Sequence, residues 1–212
     1  MMATTAKENI LNRIKEALLN PVPLPFTDSN ADADIFVKNN DDNIVLFSEE
    51  FTKLQGKFLF CISEQEFQEK LAALILENNW QKIFCIEDKI NNFLKNILVE
   101  NYTNLSSCDV SITGCESLVA RTGTMVLSAA QQSGRTTSVY APIHICVAYT
   151  SQMIYDVKDA LASLTDKYQT INFPSFITFA SGPSRTADIE KTLVTGVHGP
   201  KEVYCFLVED TK

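Results

Sequence analysis

The residues best suited to chemistry lie in the last third of the chain, in the segment 181–190. An apolar run enters a turn that contains Gly182, and two hydroxyls and a guanidinium follow at Ser184, Thr186 and Arg185. The pattern predicts that this turn opens a helix, whose first N–H groups and dipole favour a bound anion. Arg185 would add a planar, permanently charged group that suits a carboxylate or a phosphate. The alternative is a capped helix, in which the hydroxyls bond the backbone and the arginine is solvated.

Two further glycine turns occur, at residues 122–124 and 198–200. Both fall beside predicted strand ends, where open α/β sheets bind ligands. We expect the turns at 122–124 and 181–184 to converge, and their hydroxyls to form with Arg185 a polar basin for a carboxylate, phosphate or CoA-like anion. The alternative is that each turn needs glycine only for a tight bend. The predicted ligand-binding residues are Thr122, Gly123, Thr124, Gly182, Ser184, Arg185, Thr186, Asp188 and His198.

Three of the titratable residues near these turns have alternative roles. Asp188 either pairs with Arg185 at a spacing of three or places a favourable charge near the helix start. His144 lies in an apolar run and is typical of a hydrogen-bonded core residue, whereas His198, between glycines, is a candidate for ligand contact or proton transfer. No Ser-His-Asp, Cys-His or paired-carboxylate arrangement follows from spacing, and no phosphate-binding or dinucleotide loop occurs. The sequence therefore assigns no catalytic residue.

Composition excludes several functional classes. The 212-residue chain has a net charge of -8 and an isoelectric point near 4.8, which disfavour binding to nucleic acid or anionic lipid. Its apolar runs are shorter than the roughly 20 residues of a membrane span, and residues 1–8 lack the apolar core of a secretory signal. The six cysteines lack the close spacing of zinc or iron–sulfur ligand pairs, so we expect thiols and no bound metal. The sequence predicts a cytoplasmic protein.

The elements that must position the turns follow from hydrophobic periodicity. Residues 5–19 predict an amphipathic helix with a capping box at Thr5 and Glu8, followed by a proline-containing connector. We divide the chain into this N-terminal part, 1–43, and an α/β domain, 44–212. The predicted strands are 57–62, 82–86, 110–113, 123–128, 135–140, 143–149, 175–180 and 202–208, and the predicted helices are 64–78, 88–97 and 152–167.

The order of these elements predicts the fold class. Strands alternate with helices in the first half, which is typical of a mostly parallel sheet flanked by helices. The runs at 123–128, 135–140 and 143–149 have only turn-length connections, which favours hairpins. We therefore expect an α/β fold that carries an antiparallel insertion.

Two blocks of the sequence resemble a known family. The segment 182–190, continuing through Gly196-Val-His-Gly-Pro-Lys-Glu202, is similar to the C-terminal signature of the LUD (lactate utilization) domain family. The middle block agrees, with Thr113-Gly114, Thr122-Gly-Thr124 and Pro142 followed by His144. The resemblance covers roughly residues 45–209. It implies a fold like that of the sugar-phosphate isomerases, glucosamine-phosphate deaminases and CoA transferases (NagB/RpiA/CoA transferase-like).

The resemblance also implies a function. The family takes part in oxidising L-lactate to pyruvate within a three-protein system whose other two members carry iron–sulfur clusters. This chain resembles the cluster-free member, so the resemblance implies iron–sulfur partner proteins and no cofactor of its own. The chain departs from many relatives at Arg121, where an acidic residue is usual, and Glu116 either takes that place or is a solvated carboxylate. The competing functions are a free-standing enzyme acting on a phosphorylated or CoA-linked small molecule, and a structural or regulatory protein.

Overall fold

A computed structural model describes residues 5–19, 42–186 and 194–210. Contacts divide the chain into two units, residues 1–40 and 41–212. In the first unit, helix α1 (Ala6–Leu19) begins with the predicted capping box, because the Thr5 N–H donates to Glu8 Oε2 at 2.8 Å and the Glu8 N–H donates to Thr5 Oγ1 at 3.3 Å. The predicted connector that follows lies outside the described residues.

The other α-helices and the strands of the described residues lie in the second unit. Its helices are α2 (Asn43–Lys53), α3 (Glu64–Glu77), α4 (Asp88–Asn96), α5 (Thr137–Tyr140) and α6 (Val157–Tyr168). Its strands are β1 (Lys57–Cys61), β2 (Ile83–Phe84), β3 (Val110–Thr113), β4 (Ser117–Val119), β5 (Thr124–Ser128), β6 (Ile143–Tyr149), β7 (Met153–Ile154), β8 (Ile177–Ala180), β9 (Arg185–Thr186), β10 (Val194–Thr195) and β11 (Glu202–Val208).

The central sheet is parallel, as predicted. Five strands pair in the order β1-β11-β6-β3-β2, and every neighbouring pair runs in the same direction. Alternate side chains of its strands pack into two hydrophobic cores, one on each face of the sheet. Phe206 of β11 packs with Phe67 of α3 and Phe93 of α4 on one face, and Leu207 packs with Phe51 of α2 on the other. The α/β class with helices flanking a parallel sheet is confirmed.

A second sheet covers the other face of the parallel sheet. Its order is β7-β4-β5-β8, and the pairs β4-β5 and β5-β8 are antiparallel. Leu118 and Met125 of this sheet face Leu207 and Phe51 in one core. Val126 packs instead against Leu164 of α6 on the outer face. The layers are therefore α3 and α4, the parallel sheet, the second sheet with α2, and α6.

Several local predictions were wrong. The run at 135–140 contains the short helix α5 rather than a strand, and the Thr137 hydroxyl donates to the Ser133 carbonyl four residues earlier. The predicted hairpins between 123–128 and 143–149 do not form, because β5 and β6 belong to different sheets. Helix α6 begins at Val157 rather than at residue 152, since the Asp156 side chain caps it there. Helix α2 was not predicted; its buried Phe47 and Phe51 are four residues apart on one face.

Candidate functional site

The first two glycine turns converge, as predicted. Gly123 ends a short 3-10 turn with a positive φ of 55°, and the Thr122 and Thr124 hydroxyls that flank it lie 2.7 Å apart. The Thr124 hydroxyl also lies 2.6 Å from the Ser181 hydroxyl of the second turn. The three hydroxyls therefore form one hydrogen-bonded chain. We call residues 122–124, 181–186 and 196–200 together the signature turns.

Both glycines of these turns press against the end of α2. A Cβ atom on Gly123 would lie 2.6 Å from the Glu50 carbonyl carbon, and one on Gly182, whose φ is 111°, would lie 2.6 Å from the Leu54 carbonyl oxygen. Any larger residue would collide with the helix backbone as well as adopt a disfavoured conformation. The glycines thus let two turns reach the carboxyl end of a helix that the sequence did not predict.

The predicted helix start at Ser184 to Thr186 is wrong. Arg185 and Thr186 form strand β9, which pairs with β10 in an antiparallel hairpin. The physical reason is long-range pairing: the Ser184 N–H donates to the Pro200 carbonyl and the Gly196 N–H donates to the Ser184 carbonyl, both at 2.9 Å. These bonds fix the backbone in an extended form, and they bring the third glycine turn to the second.

The Arg185 side chain is exposed and spans to α2. Its Nη2 donates to the Leu54 carbonyl at 2.7 Å, at the end of the helix where carbonyl groups lack helical partners. Its neighbour across the hairpin is Thr195, and the next residue, Gly196, lies against the Lys201 side chain. No carboxylate of a described residue forms an ion pair with Arg185 or Lys201. Arg185 in the signature turns and Lys201 directly after them are thus two exposed cations in a chain whose net charge is -8.

The remaining predicted residues have different surroundings. His198 is exposed, and Thr186 is half-buried opposite Val194 in the hairpin. Asp188 lies outside the described residues, so its pairing with Arg185 stays a prediction. His144 is a core residue as expected: it is 1% exposed, its Nε2 lies 2.8 Å from the Thr113 hydroxyl, and burial lowers its pKa to about 4.

Glu116 is not the solvated carboxylate that we allowed for. Its side chain is 3% exposed, and it accepts hydrogen bonds from the Ser128 hydroxyl, the Tyr168 hydroxyl and Lys167 Nζ at 2.5, 2.7 and 2.8 Å. Burial acts to raise its pKa, but the three donors outweigh that effect and the pKa lies below the ordinary value. Arg121 in turn pairs with Asp156, the N-cap of α6. Both residues thus join the second sheet to α6.

A second candidate region, missed by the sequence analysis, lies at the carboxyl ends of the parallel strands. A pocket of about 490 Å³ opens where β1, β6 and β11 end, and we call it the edge pocket. Its lining residues are Ser63, Glu64, Lys89, Tyr149, Ser151, Gln152, Glu209 and Asp210. The signal available in the sequence was polar residues directly after predicted strands, since parallel strands end at a common edge.

The edge pocket carries mixed charge with an acidic excess. Lys89 Nζ lies 3.7 Å from the centre of the Tyr149 ring and 3.7 Å from Glu64 Oε1, and the Tyr149 hydroxyl donates to the same carboxylate at 2.9 Å. Burial and that carboxylate raise the Tyr149 pKa. Asp210 Oδ2 accepts from the Ser151 N–H at 3.3 Å, while the buried Oδ1 has no hydrogen-bond partner among the described residues. Three carboxylates thus face one ammonium group, which suits hydrogen-bond donors better than anions.

The comparison with known families decides the identity of this fold. The sequence profile of the LUD domain matches residues 44–208, which include both glycine blocks and all five strands of the parallel sheet. The chain belongs to the LUD domain family. Within this LUD domain, Gly123 and Gly182 of the signature turns contact the end of α2.

Relatives of this LUD domain carry a shared name. The chain is similar to lactate utilization protein C of Bacillus subtilis, with 33% identity over 52% of this chain and 47% of that protein. It is also similar to lactate utilization protein C of Deinococcus radiodurans, with 31% identity over 51% and 50%. An uncharacterized protein of Neisseria meningitidis is 36% identical over 49% and 42%. The matched segment therefore spans about half the length of these curated relatives.

A solved structure supports the fold alone. A DUF162 family protein from Deinococcus radiodurans superimposes with a TM-score of 0.59 over 78% of this chain and 96% of that one, at 18% identity. The likeness confirms the α/β architecture of the LUD domain, and the more specific fold name given in the sequence analysis stays a prediction. In the parts of the chain that the structure describes, no helix is long and apolar enough to span a bilayer.

Proposed function

We propose that this LUD domain is the cluster-free component of a cytoplasmic lactate utilization system that oxidises L-lactate to pyruvate with iron–sulfur partner proteins. The observation that carries the proposal is the family membership over residues 44–208 together with relatives named lactate utilization protein C. Because those matches cover about half of each relative, the reaction and the partners belong to the proposal.

The state of the cysteines supports placing the clusters on partners. All six cysteines are free and buried. Cluster-binding cysteines usually occur in closely spaced runs, and no two cysteines of this chain are separated by only two or three residues. Free thiols of this kind persist in a reducing compartment, which agrees with a cytoplasmic location. Electron transfer is therefore assigned to the partner proteins.

The charge at the signature turns supports a small organic anion as the ligand. Arg185 is exposed, its guanidinium has donors beyond the one that bonds Leu54, and Lys201 lies on the neighbouring turn. A carboxylate such as that of lactate or pyruvate suits cations of this kind. The edge pocket, with a volume of about 490 Å³, is lined by three carboxylates and one lysine, so it offers little support for the alternative of an enzyme acting on phosphorylated or CoA-linked molecules.

Two experiments test the proposal separately. Affinity purification of the chain from native cells grown on L-lactate should recover proteins that contain iron and acid-labile sulfide, and recovery of the chain alone would contradict the partner assignment. A thermal-shift titration with L-lactate and pyruvate tests the ligand, because binding to the folded state raises the melting temperature. If neither anion raises the melting temperature, the anion site is contradicted. The partner assignment is then judged only by the affinity purification.

A further inference from the structure

Among the residues that the structure describes, none pairs with the outer edge of β8. Strand β8 is the last strand of the second sheet, and no described strand pairs with its far side. The Ala129 N–H donates to the Phe176 carbonyl at 2.9 Å, so peptide groups of even-numbered residues from 176 face β5. Peptide groups alternate in direction along a strand, and therefore the N–H and C=O groups of Ile177 and Phe179 face outward. An edge of this kind is a template for another strand.

The chain around this edge is apolar and uncharged. No Asp, Glu, Lys or Arg occurs between Lys167 and Arg185. Four large apolar side chains of this stretch are exposed: Ile171 at 95%, Phe173 at 40%, Phe176 at 44% and Phe179 at 42%. The edges of the parallel sheet differ, because β1 begins with Lys57 and β2 follows Lys82. Charged residues commonly protect an edge from pairing, and β8 has none.

We propose that β8 pairs with β8 of a second copy of this chain, so that two four-stranded sheets become one. A two-fold axis perpendicular to the strands makes the two copies of β8 run antiparallel. With the axis at Thr178, Ile177 of each copy exchanges both of its backbone hydrogen bonds with Phe179 of the other. The outward groups of both residues are then satisfied.

Side chains and charge favour the second copy as the occupant. Phe179 lies opposite Val126, whose side chain packs on Ala160 and Leu164, so Phe179 is on the α6 face of the sheet. Pairing about Thr178 places it beside Ile177 of the copy, an aromatic and β-branched contact that stabilises paired strands. Because each chain has a net charge of -8, two copies repel over most of their surface. The uncharged stretch around β8 lets them approach.

Analytical ultracentrifugation with edge variants tests this proposal. We expect the native chain to sediment at twice its mass of 23.7 kDa. Phe179→Pro removes the outward N–H together with the phenyl ring, and Phe179→Lys places a charge at the edge, so each should give monomers with an unchanged circular dichroism spectrum. Leu76→Lys is the matched control: Leu76 is 82% exposed on α3, and this variant should stay dimeric.

A cross-link tests the position of the axis. Residues opposite each other in a non-hydrogen-bonded pair have Cα atoms about 4.5 Å apart, within disulfide reach. Thr178→Cys should therefore form a disulfide-linked dimer on mild oxidation, and Ile171→Cys, outside the strand, should not. A monomeric native chain, or a dimer that survives both Phe179 variants, would overturn the proposal. The proposal would also be overturned if the native chain is a monomer that binds a different protein, and if the Phe179→Lys variant loses that binding.

Discussion

The signature turns and the edge pocket differ in packing and in charge. In the signature turns, hydroxyls of Thr122, Thr124 and Ser181 bond one another, and two glycines touch the backbone of α2. The edge pocket has a volume of about 490 Å³ and a lining in which acidic groups outnumber Lys89. One region is tightly closed and carries cations on its rim, and the other is open and acidic.

The difference shows that the edge pocket and the residues of the family signature lie at separate places in this fold. Glycines of the signature turns pack against α2, and Arg185 reaches the end of the same helix through its bond to the Leu54 carbonyl. Lys201 is exposed beside Gly196. The edge pocket follows from the general geometry of parallel sheets. On the basis of charge, we propose the signature turns rather than the edge pocket as the site of the organic anion.

The largest expected effect is the loss of stability when a signature glycine gains a side chain. Gly123→Ala should lower the free energy of unfolding by about 1–2 kcal/mol for its positive φ and by about 1–3 kcal/mol more for the clash with α2. Gly134→Ala is the control, because Gly134 has a φ of 64° and no atom within 4 Å of an added Cβ. Equal losses in urea denaturation would show that α2 is not the constraint.

The next effect separates the two regions by ligand response. If pyruvate or L-lactate binds at the signature turns, stabilisation reaches about 2.7 kcal/mol at a concentration 100-fold above Kd. Arg185→Ala should abolish that rise in melting temperature, and Lys89→Ala in the edge pocket should retain it. Arg185→Ala also loses the bond to Leu54, so its melting temperature without ligand is the baseline for the comparison. The reverse pattern would move the anion to the edge pocket.

Glu116 is a buried carboxylate with three hydrogen-bond donors, in contrast to the carboxylates that line the edge pocket. Because its pKa is lowered in the folded state, it stabilises the fold above its ordinary pKa of 4.5, and that stabilisation is lost as the pH falls through the lowered folded pKa. Glu116→Gln should cost about 1.5–3 kcal/mol at neutral pH and less in acid. Urea denaturation of both proteins across the acid range measures this. A cost that is independent of pH would contradict the charged network with Lys167.

The smallest expected effect lies in the edge pocket. Lys89 is 64% exposed, and its contacts with Glu64 and Tyr149 are those of a surface residue. Lys89→Ala should therefore lower the free energy of unfolding by about 1 kcal/mol or less. A larger loss in chemical denaturation would show that the edge pocket is as tightly built as the signature turns.

Local periodicity predicted most of the parallel sheet and its helices. The runs that became β1, α3, α4, β6 and β11 combine strong apolar patterns with clear ends, such as the Ser63 cap of α3. The convergence of the turns at Gly123 and Gly182 was also predicted, since both turns lie beside the ends of predicted strands.

Long-range contacts decided the rest. The local sequence predicted a helix start at Arg185 and Thr186. Pairing with β10 and the hydrogen bond from Ser184 to the Pro200 carbonyl instead hold this segment extended. The sequence around Glu116 suggested an isolated surface carboxylate. Its hydrogen-bond donors Lys167 and Tyr168 lie about fifty residues further along the chain. The contact of the signature glycines with α2 required that helix to be known first. None of these pairings leaves a local pattern in the sequence.

The proposed role is tested most directly by L-lactate-dependent dye reduction in the assembly purified on this chain from cells grown on L-lactate. The account predicts that the assembly contains iron–sulfur proteins and reduces the dye with L-lactate, and that cells lacking the chain yield extracts with less of this activity. An assembly without iron, or one that does not respond to L-lactate, would contradict it.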